Sequence, residues 1–108
     1  MSRVVLSEAA RADRREITAY TVERFGLKQA RRLRDHFEAT LNTLAESPLI
    51  GRTKEELDPP ARSFRYLVLM RRFIVVYEPM DDGTSVARIL HGARNLVAEL
   101  GRDAGDDE

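Results

Sequence analysis

Three apolar segments separated by very short connections dominate the last third of this 108-residue chain. Each segment is rich in Phe, Tyr, Val, Ile and Leu, a composition typical of β-strands. Three residues separate the first two segments, and five residues that include an Asp-Gly pair separate the second from the third. Connections this short join antiparallel neighbours, so the sequence predicts a three-stranded meander. The predicted strands are Arg62–Leu69, Phe73–Glu78 and Thr84–His91.

The first half of the chain predicts one strand and two helices. A short apolar segment, Arg3–Leu6, precedes Ser7, which suits a helix N-cap, and Gly26 is placed to end the helix that follows. A second helix from Leu27 to about Glu46 should pack beside the first, because the turn between them is short. Its apolar stripe is Ala30, Leu33, Phe37, Leu41 and Leu44. Its other face holds two expected i,i+4 ion pairs, Arg31–Asp35 and Arg34–Glu38.

Charge and composition exclude several classes of protein. The 18 basic and 18 acidic residues balance, so bulk charge identifies no partner. There is no Cys, which excludes disulfides and a thiol nucleophile, and no spacing of ligands suggests a metal site. No apolar run resembles a signal peptide or a membrane span, so a cytoplasmic protein is expected. We expect one domain over residues 1–100 and a disordered acidic tail over residues 101–108.

Both faces of the predicted sheet carry apolar side chains. Strict alternation places Ala87, Ile89 and His91 on one face of the last strand, and Val86, Arg88 and Leu90 on the other. The helical hairpin can cover only one face, so the other is expected to meet a partner. The alternative is that the connector, residues 49–61, and a short last helix cover it. The prediction is an α+β domain: an N-terminal strand, a helical hairpin on one face of an antiparallel meander, and a short C-terminal helix.

A series of short motifs in a fixed order gives a more specific indication. Val5-Leu6-Ser7 leads into the first helix, Phe25-Gly26 marks the helix turn, and Ser47-Pro48-Leu49-Ile50-Gly51-Arg52 follows the second helix. The meander ends in Leu90-His91-Gly92-Ala93-Arg94-Asn95-Leu96. Over about residues 3–97 the chain resembles the ParE/RelE superfamily of toxins from bacterial type II toxin–antitoxin systems. The LHGARNL ending is similar to the ParE-like branch.

The resemblance implies a function and a set of partners. ParE-like members are growth inhibitors associated with poisoning of DNA gyrase by protein binding, and a cognate ParD-like, DNA-binding antitoxin neutralises them. Gyrase is therefore the expected target. No cofactor, no membrane association and no sequence-specific DNA binding by this chain alone are expected. Two alternatives stay open: a RelE-like, ribosome-dependent mRNA endonuclease, or a degenerate, non-toxic member that still binds antitoxins.

Basic residues of the meander are the candidate contacts to an antitoxin or a target. The interior positions of Arg65 and Arg88 predict that each pairs with a carboxylate, either of this chain or of the antitoxin. Arg71 and Arg72 occupy a predicted hairpin tip and should be exposed. The full candidate set is Arg65, Arg71, Arg72, Arg88, His91 and Arg94.

A nuclease would instead carry catalytic residues in the meander. Its catalytic residues would be His91, Arg88 and Tyr77, because cleavage through a 2′-OH needs proton transfer and a cation on the phosphate. The RelE-like nucleases that the chain resembles carry a dense Lys/Arg site and a C-terminal Tyr. Here both lysines, Lys28 and Lys54, lie outside the meander, and no Tyr follows Tyr77. A binding inhibitor without catalytic residues is therefore the expected class.

Overall fold

The computed structural model describes residues 2–92. Two helices pack against a five-stranded mixed sheet with the strand order β1-β5-β4-β3-β2, which confirms the predicted α+β architecture. The predicted last helix and acidic tail lie outside the described residues. The elements are β1 (Arg3–Leu6), α1 (Glu8–Phe25), α2 (Leu27–Glu46), β2 (Arg52–Thr53), β3 (Arg65–Leu69), β4 (Phe73–Met80) and β5 (Gly83–His91).

The two helices begin and end where the local sequence predicts. The Ser7 hydroxyl accepts a hydrogen bond from the Ala10 amide and so caps α1. Gly26 adopts a φ of 93°, which a residue with a side chain rarely tolerates, and this lets the chain reverse directly into α2. The predicted stripe of α2 is buried, and all of it except Ala30 packs in the core between the helices and the sheet. Its members are Ala30, Leu33, Phe37, Leu41 and Leu44.

The ion pairs predicted within α2 are wrong. Glu38 instead accepts a hydrogen bond at 2.9 Å from Arg14 of α1, and so links the two helices. Arg34 contacts the neighbouring Asp35 at 3.4 Å. The antiparallel packing of α1 beside α2 places a second cation within reach of Glu38, which spacing along one helix cannot reveal.

The meander forms with one irregularity that changes its faces. Leu69 pairs with Phe73 across the first hairpin, and β4 pairs with β5 on both sides of a β-bulge between Val76 and Tyr77. The bulge interrupts the alternation in β5, so Val86 and Ile89 both face the helices. Ala87 contributes to the opposite face. The predicted division of these positions between the faces was therefore wrong.

The N-terminal strand completes the sheet as a parallel edge strand. β1 runs parallel to β5, with Arg3 opposite Gly83 and Leu6 opposite Val86. The two backbones approach so closely that a Cβ at Gly83 would lie 1.7 Å from the Arg3 carbonyl oxygen. Only glycine fits this contact. The two helices provide part of the crossover that a parallel pairing requires.

The second face of the sheet is covered within the chain. Tyr66, Ile74 and Val76 are buried in a second apolar cluster with Leu90. Phe64, just before β3, also belongs to this cluster, and the partly buried Leu57 of the connector packs against it. The connector also forms β2 and a single 3-10 turn, Glu55–Leu57. The expected open apolar face is thus largely absent, because the proline-rich connector folds back over it. The main exception is Val68, which stays 59% exposed.

Candidate functional site

The Arg88 guanidinium is paired with a carboxylate of its own chain. Its Nε donates to Asp13 at 2.8 Å and its second terminal nitrogen donates at 3.1 Å, a bidentate contact. Asp13 also accepts from the Ile89 amide at 2.9 Å. The predicted carboxylate partner of Arg88 is confirmed, and the contact holds α1 along the edge of β5.

His91 lies at the exposed end of β5 between two aromatic rings. Its ring centroid is 5.0 Å from that of Phe73 and 5.7 Å from that of Tyr20, the latter in an edge-on arrangement. Phe73 in turn meets Phe37 of α2 at 5.5 Å. This row of rings fixes the orientation of His91 while leaving it accessible, so a contact role is physically available to it.

Tyr77 is completely buried and already hydrogen-bonded. Its hydroxyl accepts from the Gly51 amide at 2.7 Å, and burial raises the pKa of the phenol in spite of that bond. Tyr77 lies four residues from Phe73, the residue that pairs with His91, which is about 13 Å along a strand. The structure therefore does not bring Tyr77 and His91 together, and Arg88 is tied to Asp13.

The Arg65 side chain donates hydrogen bonds to the connector rather than to a carboxylate. One of its terminal nitrogens donates to the Gly51 carbonyl at 2.7 Å and to the Leu49 carbonyl at 3.3 Å. No carboxylate of residues 2–92 pairs with it, so of the two partners expected for Arg65 the intrachain carboxylate is absent from this range, and the antitoxin carboxylate stays a prediction. The backbone carbonyls of a tight loop satisfy the same donors.

The tip of the β3–β4 hairpin is exposed, as predicted. Met70 and Arg71 both adopt left-handed backbone conformations, with φ of 56° and 59°. The side chains of Arg71 and Arg72 form no hydrogen bond or ion pair within the described part of the chain. Both are free to meet a partner. The remaining candidate, Arg94, lies outside the described residues.

A basic groove lies between the helices and was not predicted from the sequence. We call it the helix groove: it has a volume of about 620 Å³, and five arginines surround an apolar floor. No acidic side chain of residues 2–92 lines it. The spacing of Arg11, Arg15 and Val22 along α1 could have revealed it, since these positions share one helix face. Its principal residues are Leu6, Val22, Leu27 and Ala30 on the floor, and Arg11, Arg14, Arg15, Arg31 and Arg34 around it.

A second, smaller groove follows the edge of the sheet. β2 pairs with β3 only at Arg65 and Tyr66, so no described strand covers the outer edge of β3 beyond them. The exposed side chains of Ile50 and Val68 line this sheet-edge groove together with Arg52. Its volume is about 460 Å³. An unpaired edge with apolar and basic side chains suits an extended peptide.

Two negative findings apply to the described residues. Residues 2–92 contain no cluster of three or more His, Cys, Asp or Glu side chains that could hold a metal ion. Within the same range, no helix has the length and apolar character needed to cross a membrane.

The sequence matches a family over nearly the whole described fold. Residues 4–96 match the profile of the family described as ParE toxin of type II toxin-antitoxin system, parDE. The chain belongs to the ParE toxin family. It is therefore a toxin component of a type II toxin–antitoxin system, and the resemblance to the ParE-like branch is confirmed.

Individual ParE proteins are similar over their full length. Toxin ParE1 of Mycobacterium tuberculosis is 32% identical over 100 residues, which cover 92% of this chain and 98% of the relative. Toxin ParE3 of Caulobacter vibrioides is 28% identical over 102 residues, which cover 94% and 98%. A solved structure titled "Chromosomal ParDE TA system from P. aeruginosa" superposes with a TM-score of 0.66 at 19% identity, covering 85% of this chain and 97% of that one. This last similarity shows the ParE fold alone.

Proposed function

We propose that this ParE-family toxin inhibits DNA gyrase by binding it in the bacterial cytoplasm, with no chemical step of its own. We further propose that a cognate, ParD-like antitoxin neutralises the toxin. The helix groove carries the second part of the proposal. Five arginines around an apolar floor, with no acid among the described lining residues, complement an acidic amphipathic segment.

The antitoxin segment would use the groove in two ways. Its apolar residues would bury the exposed side chains of Val22 and Leu27, which are 40% and 55% exposed. Its carboxylates would meet Arg15 and Arg31, which have no partner within residues 2–92. Arg71 and Arg72 of the hairpin tip remain proposed contacts to the target rather than to the antitoxin. His91 and Arg94 remain proposed contacts to either partner. Arg65 and Arg88 support the fold through their internal contacts and are weaker candidates.

A binding mechanism fits the site better than RNA cleavage does. Of the three residues that a nuclease would use, Tyr77 is buried away from the other two. Arg88 and His91 line one small pocket, but Arg88 is bound there to Asp13. The cation that would bind the phosphate is thus already paired with a carboxylate of its own chain.

A supercoiling assay with purified gyrase tests the proposed target. The purified toxin should inhibit supercoiling in proportion to its concentration, and a molar excess of antitoxin should restore it. Mapping transcript ends after toxin expression provides the contrasting measurement. Unaffected supercoiling with new, codon-positioned breaks in mRNA would replace gyrase with a ribosomal target, and binding of antitoxin without any growth effect would indicate a non-toxic member.

Charge reversal in the helix groove tests antitoxin recognition. The double variant Arg15→Glu/Arg31→Glu should raise the Kd for the antitoxin at least tenfold, because it places acids where the antitoxin presents acids. Lys28→Glu provides the matched control, since Lys28 lies on α2 but does not line the groove. Equal affinities of the parent and the double variant would show that the antitoxin binds elsewhere.

A further inference from the structure

A small pocket lies where the helical hairpin meets the β3–β4 tip. Its volume is about 140 Å³, and α1, α2 and the tip each contribute to its lining. No acidic side chain of residues 2–92 lines it. Its principal residues are Thr21 and Phe25 of α1, Gln29 and Arg32 of α2, and Met70 and Arg72 of the tip. We call it the tip pocket.

Two unpaired cations line the tip pocket. Arg32 and Arg72 come from different elements, both are exposed, and neither side chain has a hydrogen bond or an ion pair within residues 2–92. Two like charges beside one cavity repel each other, and an anion between them relieves that repulsion. The pocket therefore favours a negatively charged ligand group.

The backbone of the tip is held in place before any ligand arrives. The Arg72 amide donates to the Leu69 carbonyl at 3.2 Å, and the Arg72 carbonyl accepts from the Gly92 amide at 2.7 Å. Met70 and Arg71 are left-handed although neither is glycine, a conformation that costs free energy and recurs at binding sites. Arg72 is thus fixed at its Cα, which lowers the entropic cost of ordering its side chain on a ligand.

The walls of the pocket define the rest of the ligand. The guanidinium fork matches a carboxylate in a bidentate contact. Phe25 and Met70 leave 53% and 41% of their surfaces exposed at the rim, so an apolar side chain next to the acid would be buried against them. A nucleic acid is less suitable, because the cavity accepts a single anionic group and its rim is apolar.

We propose that the tip pocket binds an acidic side chain of the toxin's protein target, flanked in the target sequence by an apolar residue. This inference rests on the proposed function, since it assigns the target contact of a binding inhibitor. The tip pocket shares no lining residue with the helix groove. Target binding and antitoxin binding are therefore separable by mutation.

A peptide probe tests the pocket without assuming the identity of the target. The probe is an eight-residue peptide of alternating Glu and Leu, titrated into toxin labelled with ¹³C at its methionine methyl groups. The methyl signal of Met70 should shift on binding, whereas that of Met80, at the far end of β4, should not. A peptide of alternating Gln and Leu should leave both signals in place.

Variants assign the effect to the two cations. Arg32→Gln/Arg72→Gln should abolish the Met70 shift and raise the Kd for purified gyrase at least tenfold, while the Kd for the antitoxin changes less than twofold. Arg32→Lys/Arg72→Lys should recover part of the affinity. Arg3→Gln/Lys28→Gln removes the same charge away from the pocket and should behave as the parent does.

The outcomes separate this inference from the proposed target. A parent toxin that binds the Glu peptide through Met70 but ignores gyrase refutes gyrase as the target and supports the pocket. No Met70 shift with the parent, or an unchanged shift in the double Gln variant, refutes the pocket. A single-stranded oligonucleotide that displaces the peptide and binds more tightly would also overturn it, since the pocket would then serve nucleic acid.

Discussion

The Asp13 carboxylate and the Arg88 guanidinium form a bidentate ion pair that joins the first helix to the last described strand. The same carboxylate accepts the Ile89 amide, beyond the point where β1 ends. One side chain therefore closes the edge of β5, pairs an otherwise costly cation and positions α1.

Removing Asp13 should destabilise the fold. Asp13→Ala removes the bidentate partner of Arg88 and the acceptor of the Ile89 amide, at a site where the Asp13 and Arg88 side chains are only 12% and 24% exposed. The free energy of unfolding should fall by about 2–3 kcal/mol, measured by urea denaturation. Asp35→Ala, at a side chain that is 72% exposed, should change it by less than about 0.5 kcal/mol. Equal effects of the two substitutions would contradict the role given to Asp13.

Thr84 should matter through one buried hydrogen bond. Its hydroxyl donates at 2.7 Å to the Leu44 carbonyl, one of the last carbonyls of α2, which lacks a partner inside the helix. Thr84→Val keeps the shape but leaves that carbonyl unsatisfied, so the free energy of unfolding should fall by about 1–2 kcal/mol. Thr84→Ser restores the donor and should lose less. Thermal unfolding of the three proteins decides the order, and a Val variant as stable as the Ser variant would argue against it.

Stability should decline in alkaline solution because of two buried tyrosines. Burial, together with the hydrogen bond to Asp58, raises the pKa of Tyr66 well above its ordinary value, and burial raises the pKa of Tyr77. In the unfolded chain these phenols ionise near pH 10. Above that pH the folded state holds more protons than the unfolded state, so stability falls as the pH rises.

The slope of stability against pH shows which tyrosine causes the alkaline loss of stability. Each retained proton contributes at most about 1.4 kcal/mol per pH unit. Urea midpoints measured between pH 9 and pH 11.5 should fall less steeply for Tyr66→Phe than for the parent. Tyr20→Phe, at a ring that is 41% exposed, is the control. Identical slopes for the parent and Tyr66→Phe would refute the assignment.

Toxicity should not depend on the Tyr77 hydroxyl. Tyr77→Phe removes the acceptor of the Gly51 amide and should cost about 1–2 kcal/mol of stability. A protein that acts by binding should still arrest growth at a temperature where the variant stays folded, as checked by circular dichroism. Loss of growth arrest in a folded Tyr77→Phe variant would instead point to proton transfer and revive the nuclease interpretation.

Local signals were sufficient for most of the fold. The Ser7 cap, Gly26 and the stripe that ends at Leu44 placed both helices correctly, and turn residues placed the meander. The features that the sequence did not reveal depend on contacts between distant segments. The parallel pairing of Arg3 with Gly83 and the cover that Leu57 provides arise from chain reversal, which leaves little trace in a local pattern.

The candidate site was less predictable for the same reason. Sequence spacing showed that Arg65 and Arg88 need partners, but only the packed chain shows that Gly51 and Asp13 supply them. The helix groove and the tip pocket are each lined by residues of separate elements. In the sequence, neither Arg31 nor Arg32 can be distinguished from an ordinary surface residue. Only the packed chain shows that each lines a cavity.

The pairing of β1 with β5 also determines when the domain can complete its fold during synthesis. The Ser7 hydroxyl donates to the Ala87 carbonyl, 80 residues later, so β1 cannot be fixed in the sheet until β5 has been synthesised. A nascent chain that stops short of this strand cannot close its sheet or fix the edge that orients its first helix. Synthesis interrupted before β5 therefore yields fragments without the native surface.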